Sequence, residues 1–105
     1  METAKRKRLE RKGWKVGSAK EFLGLSSEEA TYVELKLALS RKLLELRRRR
    51  RLTQIQAAKI LQSSQSRVAK MEAGDPSVSL DLLVRSLLAL GVTKASLARS
   101  IRAAS

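Results

Sequence analysis

The sequence predicts an all-α domain of five helices. Apolar residues return every three or four positions from Tyr32 to Ile101, and a serine or threonine stands at the head of each such run. No segment alternates with the period of two that a half-buried strand needs.

Residues 1–25 form a basic arm followed by a short apolar segment, and 26–105 the helical domain. The arm carries Lys5, Arg6, Lys7, Arg8, Arg11 and Lys12. The apolar segment carries Trp14, Val16, Phe22, Leu23 and Leu25 between Gly13, Gly17 and Gly24. Ser26 with Glu29 has the spacing of a capping box, and Ser27 offers a cap one register later. Tyr32, Leu35, Leu39, Leu43 and Leu46 then mark one stripe of a long helix, from about Ser27 to Arg50. Thr53 opens a short second helix through about Leu61, and the polar run Gln62-Ser63-Ser64 reads as a turn. Ser64 caps a third helix, Gln65 to Ala73, which Gly74 stops. Asp75-Pro76-Ser77 is a second turn. Leu80, Leu83, Val84, Leu87, Leu88 and Leu90 form a strongly apolar fourth helix between Ser79 and Gly91. A fifth runs from Thr93 to about Ala104 with Leu97 and Ile101.

Composition narrows the function. Lys and Arg number 23 against 10 Asp and Glu, a net charge of +13, which favours a polyanionic partner, either nucleic acid or an anionic membrane surface. A hydrophobic fraction of 43% is enough to build a core, so the chain is more than a disordered basic tail. Without His or Cys the commonest zinc ligands and most nucleophile–base pairs are missing. No acidic cluster has metal-ligand spacing, so neither an enzyme nor a cofactor or metal site is expected. No uncharged run nears the roughly 20 residues that span a bilayer, and no apolar signal segment follows the charged start. The expectation is a soluble, cytoplasmic protein.

The informative stretch is Leu52 to Gly74, LTQIQAAKILQSSQSRVAKMEAG. Two short helices lie either side of three polar residues. Ala58 falls where they approach each other, and Val68 and Met71 share a face that can pack on Leu61 and Ile60. The opposite face then offers Gln65, Ser66, Ala69 and Lys70 to solvent. Such a face suits a major groove about 12 Å wide, where Gln can bond adenine N6 and N7 and Lys can donate to guanine. Arg47 to Arg51 is an unbroken run of arginines. It either complements the negative pole of the first helix or meets phosphates, with Arg49 and Arg50 the phosphate candidates and Arg47 the structural one. Ser64 and Arg67, at the head of the third helix, are further phosphate candidates.

These residues resemble the lambda-repressor-like (XRE/Cro type) helix-turn-helix family, whose pattern is L-T-Q-x-x-L-A-x-x-x-G followed by S-x-x-x-I-x-x-[IL]-E-x-G. Leu52, Thr53, Gln54, Ala58, Ser64, Val68, Met71, Glu72 and Gly74 stand on matching positions, and the likeness spans roughly Leu35 to Val92. It implies a lambda-repressor-like DNA-binding domain whose Gln65, Ser66 and Lys70 read base edges. It further implies that Gln54 contacts a phosphate and buttresses Gln65, and that Glu72 pairs with Arg47. Three positions depart from the pattern: Ala57 replaces Leu, Gln62 replaces the turn Gly, and Ser63 replaces an apolar residue. If Gln62 takes positive φ, the cost relative to Gly is on the order of 1 kcal/mol.

The leader G-W-K-V-G-S-A-K-E-F-L-G-L-S-S-E-E-A, with Y-V-E-L-K-L-A-L-S after it, resembles HigA-type antitoxins. That likeness implies a repressor that neutralises a RelE-like RNase toxin and autoregulates a shared operon, with Trp14, Phe22, Leu23 and Leu25 in the toxin-facing or dimer-supporting surface. The same residues could instead cover the first helix as a satellite core. The expected partners are double-stranded DNA carrying a palindromic operator and a second copy of the chain. Leu87, Leu90, Leu97 and Ile101 are divided between core and dimer contact. Two other readings remain: a stand-alone regulator of the same family, and a non-specific basic binder of nucleic acid or membrane surfaces.

Overall fold

The computed structural model describes residues 26–103. Among them are five helices and no strand: α1 (Ser27–Arg49), α2 (Gln54–Leu61), α3 (Gln65–Ala73), α4 (Leu80–Ala89) and α5 (Lys94–Ala103). The five-helix, all-α expectation holds, with bounds within a residue or two of those read from the caps. Among the described residues the chain divides between Glu34 and Leu35, inside α1, and the residues from Leu35 onward form the larger unit.

Side-chain caps explain where the helices begin. The Ser26 hydroxyl accepts from the Glu29 N–H while the Ser26 N–H donates to Glu29 Oε1, a closed capping box. Thr53 and Gln56 repeat that reciprocal pair at α2. Ser64 accepts from the Arg67 N–H at α3, Ser79 from Leu82 at α4, and Thr93 from Ser96 at α5. Residues with positive φ follow four of the helices, Arg51 after α1 and Gly91 after α4 among them. Gly74 closes α3 at φ 72°, and Gln62, in the place of the family's glycine, closes α2 at φ 54°. A Cβ on Gly74 would stand 2.8 Å from Leu37 Cδ2, so that turn is held tightly against α1. The Lys36 ammonium secures the same corner by donating to the Pro76 carbonyl.

The core of the larger unit joins Leu39, Leu43 and Leu46 of α1, Ala57 and Ala58 of α2, Val68 and Met71 of α3, and Leu83 and Leu87 of α4. Val78, Leu90 and Val92 complete it. Burial of each large aliphatic side chain stabilises the fold by about 1.5–3 kcal/mol, so α1 and α4 supply most of the apolar drive. The Ser86 hydroxyl, buried among them, donates to Met71 Sδ at 3.4 Å.

Three apolar positions differ from expectation. Ile60 is 50% exposed, because Ala57, Ala58 and Leu61 form the face of α2 that meets the core. Tyr32 is 45% exposed, since the α1 stripe becomes fully buried only from Leu39 onward. Ile101 lies largely outside the core, for α5 packs on it through Leu97. No described helix is long and apolar enough to cross a membrane, and no cluster of metal-ligating side chains occurs among the described residues. Trp14, Phe22, Leu23, Leu25 and the basic arm lie outside the described residues.

Candidate nucleic-acid interface

Helices α2 and α3 pack against each other through small residues. Ala57 and Ala58 are buried, so the α2 backbone approaches α3 closely, and Val68 and Met71 anchor α3 from the inside with no exposed surface. With one face of α3 fixed, the other must point outward: Gln65, Ser66, Arg67 and Lys70 are exposed. Ser64, Ser66, Arg67 and Lys70 also line a polar cleft with Ser77, Val78 and Leu82.

A chain of polar contacts ties the head of α3 to α1 and α2. Arg47 makes a two-pronged ion pair with Glu72: its Nε donates to Oε2 and its Nη2 to Oε1, the latter at 3.0 Å. The Arg47 Nη1 donates to the Leu52 carbonyl at 2.8 Å, clamping the α1–α2 connection. Both side chains are largely buried, and the hydrogen bond that Arg47 donates to Glu72 raises the Arg47 pKa above its ordinary value. Glu72 Oε1 also accepts from Gln54 Nε2 at 3.1 Å, and Gln54 Oε1 accepts from Gln65 Nε2 at 3.1 Å. Four residues from three helices therefore form one network that ends at an exposed amide.

The family resemblance implied the two outer pairs, Arg47 with Glu72 and Gln54 with Gln65. It gave no sign of the Gln54–Glu72 bond that joins them across 18 residues, because only the packing of α2 on α3 makes these positions neighbours. It also missed Gln56 as the second half of the α2 cap. The structure places Ser64, Gln65, Ser66, Arg67 and Lys70 along α3 and its head, with Gln54 beside them. Arg49 and Arg50 lie apart from this network: Arg49 is exposed, and the Arg50 guanidinium lies beside Gly91, 3.4 Å from where a Cβ would stand.

Comparison with known proteins adds one finding. A family model described as a helix-turn-helix domain matches residues 22–102, most of the chain. Neither a curated protein nor a solved structure matches significantly. The five helices and the α2–turn–α3 unit are those of a lambda-repressor-like fold.

Proposed function

The chain belongs to this helix-turn-helix family, and from that premise we propose that it is a sequence-specific transcriptional repressor that reads DNA with α3. The observation that carries the reading is the exposed polar face of α3, held by a fully buried opposite face and braced at its head through Gln54. Gln65, Ser66 and Lys70 address base edges, for which their donors and acceptors are suited. Gln54, Ser64 and Arg67 stand at the N-termini of α2 and α3, where exposed N–H groups and the helix dipole favour a phosphate, and Arg49 and Arg50 add charge at the end of α1. Two copies joined through their C-terminal helices would set two reading helices about 34 Å apart, on a palindrome with half-sites one turn apart. Occupancy of the promoter then excludes polymerase.

The test is a footprint on the DNA upstream of the chain's own reading frame, at moderate salt with excess competitor. Protection should survive competitor for the native protein and be lost for Gln65→Ala or Lys70→Ala, each removing roughly 1–3 kcal/mol of base discrimination. An unprotected promoter sinks the repressor reading. The finer role, an antitoxin that holds a RelE-like toxin in the cytoplasm, is supported by the likeness of the leader from Gly13 to Ala30 to HigA-type antitoxins. An adjacent reading frame for a small basic RNase whose product co-purifies with the full chain, and not with a chain lacking residues 1–30, supports that role. A stand-alone regulator has neither.

A further inference from the structure

We infer that Glu72 sets the base that Gln65 reads, by fixing the direction of a relay of amides; the inference rests on the DNA-reading role of α3 proposed above. A glutamine amide is ambiguous by itself, since rotating it by half a turn exchanges a donor for an acceptor. Glu72 removes that ambiguity. Paired with the Arg47 guanidinium, its carboxylate is acceptor-only, so whatever faces it must donate. Gln54 therefore turns Nε2 toward Glu72, which leaves its Oε1 facing Gln65. Gln65 must then donate through Nε2, and its outward edge offers Oε1 as acceptor with the remaining N–H as donor. That pair matches adenine, which presents the N6 donor beside the N7 acceptor; guanine presents two acceptors, O6 and N7, and repels the Gln65 oxygen.

Glu72 is thus a positioning residue for base choice, acting two residues away from any base. Its effect differs from that of a structural brace: it selects a direction of hydrogen bonding, and loosening the fold would not change which base is preferred. The relay is also short and drawn from three helices, so the buried ion pair of α1 with α3 and the exposed amide at the reading face are one unit.

Purified protein is used to select from a random-sequence duplex library, and the enriched pool is sequenced. The native chain should enrich a motif with adenine preferred about tenfold or more at one position, the discrimination of one good bidentate contact, and Gln65→Ala should erase the preference there. Glu72→Gln, whose amide can either donate or accept, should bring that position close to parity while the other positions of the motif persist. Gln54→Lys keeps the Arg47–Glu72 pair intact and serves where Glu72→Gln folds poorly. Its ammonium can only donate, so Gln65 must turn its oxygen inward, and the preferred base at that position should change while the other positions of the motif persist. Adenine still preferred in both variants overturns the relay while the reading role of α3 stands. Uniform weakening at all positions together with a lowered Tm makes Glu72 a plain brace and overturns it too. If the native chain enriches no motif, the DNA-reading role itself has failed.

Discussion

Gln62 holds φ 54° and ψ 48° at the end of α2, a region where a Cβ crowds the following carbonyl. Its side chain is exposed to solvent. Gln62→Gly should therefore stabilise the fold by up to about 1 kcal/mol, partly offset by the extra freedom glycine has when unfolded. Urea denaturation should show a higher midpoint with an unchanged slope. The strain was foreseeable because the family pattern puts glycine at this position. Its neighbour was less legible: Ser63 fills a position that is usually apolar, and its buried hydroxyl finds no partner among the described residues. Asp75 makes a different residue-scale prediction. The Ser77 hydroxyl and then the Ser77 N–H donate to its carboxylate and hold its pKa below the ordinary value. A depressed pKa contributes stability above the unfolded value, near pH 4, that disappears as pH falls through the lower folded value. The Tm difference between the native chain and Asp75→Asn should stay constant from pH 7 to about 4 and close below that.

At the level of elements, the packing of α2 on α3 matters most, because it sets the angle at which the reading face is presented. Ala58 is 4% exposed at that contact. Ala58→Leu adds volume where the helix backbones approach, and overpacking of this kind costs about 1–3 kcal/mol. The variant should lose thermal stability and, where still folded, lose selective binding more than non-selective binding, since α3 would tilt while its charges remain. Equal loss of both would show that the angle is unimportant. Helix bounds were legible because capping depends on local spacing: Ser26 with Glu29, Thr53, Ser64 and Ser79 all mark their helices within four residues. Facing directions on a short helix were harder. Over the eight residues of α2, Ile55, Ala57, Ala58, Ile60 and Leu61 are all apolar, so periodicity alone gives no reason to prefer Leu61 over Ile60 as the inward residue. Tertiary packing decides that, and the two alanines win because they admit the neighbouring helix.

For the whole molecule, a net charge of +13 means that attraction to any polyanion precedes any reading of sequence. These two contributions sit on different residues and separate by salt. Arg49, at the end of α1, is exposed and takes no part in the relay from Arg47 to Gln65. Arg49→Ala should therefore weaken binding to selected and random duplexes by the same factor. If its guanidinium neutralises one phosphate, it should also reduce the slope of log K against log salt by about 0.9, the counterion release of one contact on B-DNA. Gln65→Ala should do the reverse, leaving the slope unchanged and lowering only the ratio of selected to random affinity. Titrations of both variants between roughly 50 and 200 mM salt distinguish these effects, because affinity spans several decades over that range for proteins making many phosphate contacts. An Arg49→Ala slope equal to that of the native chain would remove Arg49 from the phosphate set and leave the positive charge there as a complement to the C-terminal pole of α1.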